Sequence, residues 1–223
     1  KQSNVDFTTL SPAPQLEIAV ADTFVNKLAI QNLAKQYKIE IDSERVDQYY
    51  QEVIAQDGEE AFAQNLIETF GWSTDEFKKR IVESIVLALQ MTDAILADQE
   101  TQQPRRERMD AAYARVQNGE DFATVAKEAH AGFDGIESDL GYVKASVIPP
   151  SWSAQVTAIE EGEMTEVIEL PEGFVLFKLE EKILAGEDTQ LHLLSITIPK
   201  VSLEEVVDEY LTTVEVKRYV GQE

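Results

Sequence analysis

Cysteine is absent from the 223 residues, so disulfide staples, thiolate nucleophiles and sulfur-ligated metals are excluded, while the redox compartment stays open. Histidine is nearly absent. His130 and His192 lie far apart without an H-E-x-x-H spacing, so the sequence predicts no metal site and no other cofactor. Basic residues are scarce as well: 19 Lys+Arg face 42 Asp+Glu, a formal net charge of −23. Without a basic patch to release counterions, such a surface repels phosphate backbones and anionic headgroups, and nucleic acid is not an expected partner. There is no P-loop and no G-x-G-x-x-G. No apolar run approaches the roughly 18 residues of a membrane span, and no leader-like segment precedes Lys1. The chain reads as a soluble ectodomain or mature form, with membrane attachment only through an anchor outside this sequence.

What is present divides the chain. At 43% hydrophobic it can bury one large core or two modest ones, and the pattern favours two. Residues 1–15 are polar, with Pro12 and Pro14 barring regular helix, and read as a tail or strap. From Leu16, apolar residues recur at helical spacing (Val25, Leu28, Ala29, Leu33) to near Tyr37. Asp42 is placed to cap a helix running through Ile54. Phe62, Leu66 and Phe70 form the next stripe, closed by Gly71. Ser73 and Glu76 then make a capping-box pattern before Phe77, Ile81, Ile85 and Leu89. The residues expected to point inward are Phe62, Leu66, Phe70, Phe77, Ile81 and Ile85. Residues 99–106, polar and containing Pro104, read as a boundary. Beyond it come a helix through Met109, Ala112, Tyr113 and Val116, closed at Asn118-Gly119, and another over 122–129. After Pro199, Ser202 with Glu205 opens a helix to about Leu211, and residues 214–220 alternate as a short strand.

Residues 108–182 carry the most specific pattern. Gly119-Glu120-Asp121-Phe122 is followed by Ser138-Asp139-Leu140-Gly141-Tyr142, Ile148-Pro149-Pro150-Ser151-Trp152, Glu161-Gly162-Glu163-Met164 and Gly173-Phe174-Val175. In this order and spacing they resemble the parvulin-type peptidyl-prolyl isomerase domain. The preceding short helices, with Ile41-Asp42, Gly71-Trp72-Ser73 and Glu76-Phe77, are similar to the N-terminal chaperone domain of SurA- and PrsA-type extracytoplasmic foldases. The resemblance implies an α+β chain: a helical domain over 1–103, a parvulin-like (FKBP-like) α/β domain over 104–200, and a C-terminal helix and strand over 201–223. In that family a strand bearing a histidine opens the domain, yet residues 98–108 here are polar and proline-broken. The apolar run 190–199 has strand character. Either it fills the vacant central slot from the other end of the chain, or it begins a truncated second repeat.

Prolyl isomerisation crosses a barrier of ~18–20 kcal/mol without covalent change, so a catalyst must grip the proline ring and favour the twisted amide. By resemblance the apolar grip falls on Ile148 and Trp152, with Leu140 or Tyr142 on one wall, and the family's further aromatic falls on Thr157. The first histidine matches His192 if the 190–199 strand fills the slot, directed toward the pocket. The second falls on Val175, and the nearest acid to the family's position is Asp134. Asp139-Leu140-Gly141 reads as a structural turn, and His130 as solvent-facing. The resemblance thus implies an extracytoplasmic folding factor, periplasmic or at the cell surface. Its partners would be unfolded or proline-containing polypeptides, and its polar catalytic half is eroded. The other reading is an inactive scaffold that keeps the fold as an interaction module.

Overall fold

The structure, a computed structural model, describes residues 13–55, 58–184 and 189–217. Nine helices and four strands are described: α1 Ala13–Gln36, α2 Ser43–Ile54, α3 Glu59–Phe70, α4 Thr74–Phe77, α5 Glu83–Ala97, α6 Gln99–Gln117, α7 Phe122–Ala129, β1 Asp139–Lys144, α8 Pro150–Ala158, β2 Ile168–Leu170, β3 Gly173–Ile183, β4 Gln190–Pro199 and α9 Leu203–Thr213. They form two compact units, one of residues 1–94 with 202–223 and one of residues 95–201.

In the helical unit, caps fall where the side chains allow. The Asp42 carboxylate accepts the Glu44 and Arg45 N–H groups, Ser73 and Glu76 close a capping box, and Gly71 ends α3 at φ +69°. Two details differ from the sequence reading. Helix α1 already begins at Ala13, so Pro14 lies in its first turn, where a missing N–H costs nothing; residues 1–12 lie outside the described residues. More consequentially, a π-turn at Lys78–Val82 joins α4 to α5. One extra residue rotates everything beyond it by about 100°. Val82 and Val86 therefore follow Phe77 inward, both fully buried with Val46, whereas Ile81 is exposed and Ile85 only half-buried. Within this turn the Arg80 carbonyl accepts the Lys27 ammonium at 3.0 Å and the Ser84 hydroxyl at 3.3 Å. Phe70, also expected inside, is exposed. Helix α9, opened by the Ser202–Glu205 capping box, packs on α1. Of the strand expected over 214–220, residues 218–220 lie outside the described residues and 214–217 form no ladder.

In the second unit, residues 99–106 form the first turns of α6. Pro104 sits inside that helix on its exposed side, so the Glu100 carbonyl that loses its partner faces water. Burial of Gln102, Met109 and Ala112 on the opposite side holds the helix in place. The sheet is antiparallel, in the order β1-β4-β3-β2. Strand β4 therefore fills the central slot from the C-terminal side, with Phe174↔Ile198, Val175↔Thr197 and Leu176↔Ile196 in register. One sheet face packs Phe174, Leu176, Ile196 and Ile198 under α6 and α7. The other packs Val175, Phe177, Leu179, Leu191 and Leu193 with Ile148 and with Val156 of α8.

Candidate functional site

The residues expected to grip a proline ring do meet, but they meet packed against other apolar side chains. Ile148, which precedes the Pro149–Pro150 start of α8, is 6% exposed among Val175, Phe177, Leu179 and Leu193. Trp152 stacks on Phe177 with centroids 4.5 Å apart and planes 21° off parallel. Thr157 turns its hydroxyl back to the Ser153 carbonyl at 2.7 Å. Val175, at the family's second histidine position, is buried and pairs with Thr197. This face has apolar walls and no titratable pair across that ladder.

His192 stands on the other face. Strand residues alternate sides, and since Leu191 and Leu193 pack into the Ile148 cluster, His192 between them points away from it. Its neighbours are Tyr142, its Cα partner across the β1–β4 ladder with rings 4.9 Å apart, and Asp139, whose Oδ1 lies 2.8 Å from Nε2. The same carboxylate oxygen accepts the Gly141 N–H at 2.8 Å. That backbone bond first, and His192 second, hold the Asp139 carboxyl below the usual carboxylate range. The Tyr142 hydroxyl donates to the Glu181 carboxylate, which pushes the phenol pKa up. Leu140 lies exposed at the irregularity between Asp139 and Tyr142. The acid at His192 is thus Asp139; Asp134 sits in the exposed turn after α7. The candidate residues separate into an apolar group, Ile148 and Trp152, and a polar group on the opposite face, Tyr142 and His192.

Sequence reasoning missed His130. Expected in solvent, it closes α7 and is 8% exposed, with Nε2 accepting the Thr197 backbone N–H at 3.0 Å. Burial chiefly, and the Arg108 charge, lower its pKa. It borders an open cavity of about 590 Å³ with Lys127, Ile136, Glu137, Ser138 and Asp139. Among the described residues, no three or more His, Asp or Glu side chains converge as metal ligands.

A four-stranded antiparallel sheet with α6 and α7 on one face and α8 on the other defines a parvulin-like α/β domain. Residues 85–181, a little under half of the chain, match the family model described as "Rotamase: PPIC-type PPIASE domain". The match stops before β4, the strand at the centre of the sheet. Among curated proteins, the chain is similar to the chaperone SurA of Pseudomonas putida, 34% identical over 71 residues, which is 31% of this chain and 17% of that protein. It is similar also to chaperone SurA of Pseudomonas aeruginosa, 32% identical over 71 residues with the same shares, and of Pseudomonas fluorescens, 30% over 80 residues, 35% and 18%. The aligned part therefore spans less than a fifth of these relatives' length. No solved structure matches significantly.

Proposed function

We propose that this chain is an extracytoplasmic folding factor that holds unfolded or extended polypeptide through its helical unit, with prolyl isomerisation at most a minor activity. The observation carrying this reading is the apolar surface the helical unit leaves in water: Phe24, Leu28, Ile67 and Phe70 are each about 60% exposed, at 61, 58, 62 and 60%. Large exposed apolar side chains raise the free energy of the isolated protein and are retained where something docks on them. The net charge of −23 keeps such a surface from self-aggregating. Against strong isomerase activity stands the proline-grip face, filled by the Trp152–Phe177 stack and faced by Val175 and Thr197 instead of a histidine pair. Each tenfold of rate needs about 1.4 kcal/mol of differential stabilisation, and the Val175–Thr197 rung offers one hydroxyl and no ionisable group to supply it. An extracytoplasmic setting is proposed from the likeness to SurA chaperones. Among the described residues no helix is long and apolar enough to cross a membrane.

The test pairs aggregation suppression of a chemically denatured client with an isomerisation assay on a proline tetrapeptide. Suppression by the wild type, weakened in a Phe24→Ser/Phe70→Ser variant, with an isomerase rate near the uncatalysed one, is the expected result. Efficient isomerisation without suppression would overturn the reading.

A further inference from the structure

Helix α3 is the least embedded of the long helices in its unit. Leu66 is its one fully buried residue among those described. Along one flank, beside the buried Leu66, run Glu60, the half-buried Ala63, Ile67 and Phe70, spaced by three or four residues and therefore in one row about 15 Å long. Beyond the Gly71 stop, Trp72 leans against Phe70 with ring centroids 5.4 Å apart, which lengthens the row into an aromatic pair. Ile67 and Phe70 are the two most exposed apolar side chains of the segment.

The charge at the head of this row has one sign. Residues 58–77 contain Glu59, Glu60, Glu68, Asp75 and Glu76 and no lysine or arginine, whereas Lys78, Lys79 and Arg80 follow directly, Lys78 paired with Asp47. Local structure explains part of this, since Glu59 and Glu60 favour the start of α3 and Glu76 belongs to the capping box. Those roles leave the charges in place. Glu59, Glu60, Glu68 and Asp75 are exposed, and the Glu68 carboxylate accepts the neutral Gln64 amide at 2.8 Å. Arg80 reaches the row from the π-turn, 5.1 Å from the Trp72 ring, but its guanidinium is paired with Glu76 at 3.4 Å. An apolar row with acids at its head repels acidic chains there and draws in cationic ones.

We infer that the Glu60–Ala63–Ile67–Phe70 row with Trp72 is a docking surface for polypeptide segments in which apolar residues are flanked by lysine or arginine. The inference rests on the polypeptide-holding reading and adds a client class to it. Apolar side chains of the client cover Ile67, Phe70 and the open side of Trp72, while its basic residues meet Glu59 and Glu60 at the head of the row. Exposed ion pairs are individually weak, so the charge term acts as selection rather than as the source of affinity, and it fades with salt.

The experiment uses the whole chain and two short synthetic peptides with one shared apolar core, flanked either by lysines or by glutamates, titrated by fluorescence anisotropy. The lysine-flanked peptide is expected to bind roughly three- to tenfold tighter at low salt, with the gap closing near about 0.5 M salt. Ile67→Ser/Phe70→Ser, both at exposed positions and checked for unchanged helicity, is expected to abolish binding of both. Glu59→Lys/Glu60→Lys is expected to level or invert the preference. Equal binding of both peptides, or binding untouched by the Ile67/Phe70 variant, overturns the inference while leaving aggregation suppression by another surface intact. So does a wild-type dimer that Ile67→Ser/Phe70→Ser dissociates, because the row would then belong to a second copy. If the wild type neither binds the peptides nor suppresses aggregation, the holding reading fails with it.

Discussion

His130 Nε2 accepts the Thr197 backbone N–H at 3.0 Å, continuing the edge of β4 where the Ser195 N–H has taken the last carbonyl from the β1 side, that of Ser138. A backbone N–H can only donate, so Nε2 is the unprotonated nitrogen and the ring is neutral with its proton on Nδ1. Protonating Nε2 breaks this bond inside a buried site. Burial and Arg108 accordingly depress the folded-state pKa below the ordinary histidine value. Below about pH 6.5 the unfolded chain then binds the proton that the folded chain refuses, so stability falls as pH drops through that value and levels off below the folded pKa. Urea midpoints between pH 8 and 5 check the sign. His130→Gln, whose amide oxygen can accept the same N–H, is expected to flatten this part of the slope, whereas His130→Ala is expected to cost about 1–3 kcal/mol at every pH.

Gly173 opens β3 against the end of β4, and a Cβ there would lie 2.7 Å from the Ile198 carbonyl oxygen and 3.2 Å from the Pro199 Cα. Both obstacles are backbone, so no rotamer change relieves them. Gly173→Ala is expected to destabilise the domain by about 1–3 kcal/mol and to speed hydrogen exchange at the Phe174–Ile198 rung. Unchanged stability would mean that the two strands part there at no cost.

The local signals were legible. Asp42, Ser73–Glu76, Gly71 and Ser202–Glu205 each act within a few residues, and each caps or stops a helix where the sequence put it. The apolar, β-branched run ending at Pro199 was legible as a strand, and of the two places the sequence left open for it the structure shows the central slot between β1 and β3. What failed depends on phase. The π-turn adds one residue, and the inward stripe moved from Ile81 and Ile85 to Val82 and Val86. Irregularities at Asp139/Tyr142 and Leu179/Glu181 set which side chains share a face. His192 lies opposite Ile148 and Trp152 by plain alternation with Leu191 and Leu193, and what the sequence does not encode is that α8 covers the Leu191–Leu193 face. Asp139 was read as a turn residue. It is one, through Gly141, and it also meets His192.

Gln102 is 4% exposed and completes a three-way bond to main chain. Its amide donates to the Ile95 carbonyl at 2.9 Å and the Val201 carbonyl at 3.1 Å, and its oxygen accepts the Val201 N–H at 2.7 Å. Gln102→Leu keeps the volume and orphans all three backbone groups, so a loss of about 2–4 kcal/mol is expected in chemical denaturation. Gln102→Glu is expected to be at least as damaging at neutral pH, since a carboxylate would face two carbonyls with nothing to donate. A Leu variant as stable as wild type would show that water replaces the amide.

Trp152 decides between a proline pocket and a packed loop. If it is an anchor for substrate, truncation should weaken peptides containing proline and leave folding nearly intact. Its face-on stack over Phe177, with Ile148 buried in the same cluster, points the other way: the indole already has its partner inside the molecule. Trp152→Ala is therefore expected to cost about 2–4 kcal/mol of stability, the usual loss for truncating a packed aromatic, and to affect proline-containing and alanine-containing peptides alike. Denaturation curves and paired peptide titrations measure both. A proline-selective loss of binding in a variant of undiminished stability would reverse the assignment and place the grip back on Ile148 and Trp152, with Phe177 as the floor exposed when the indole swings out.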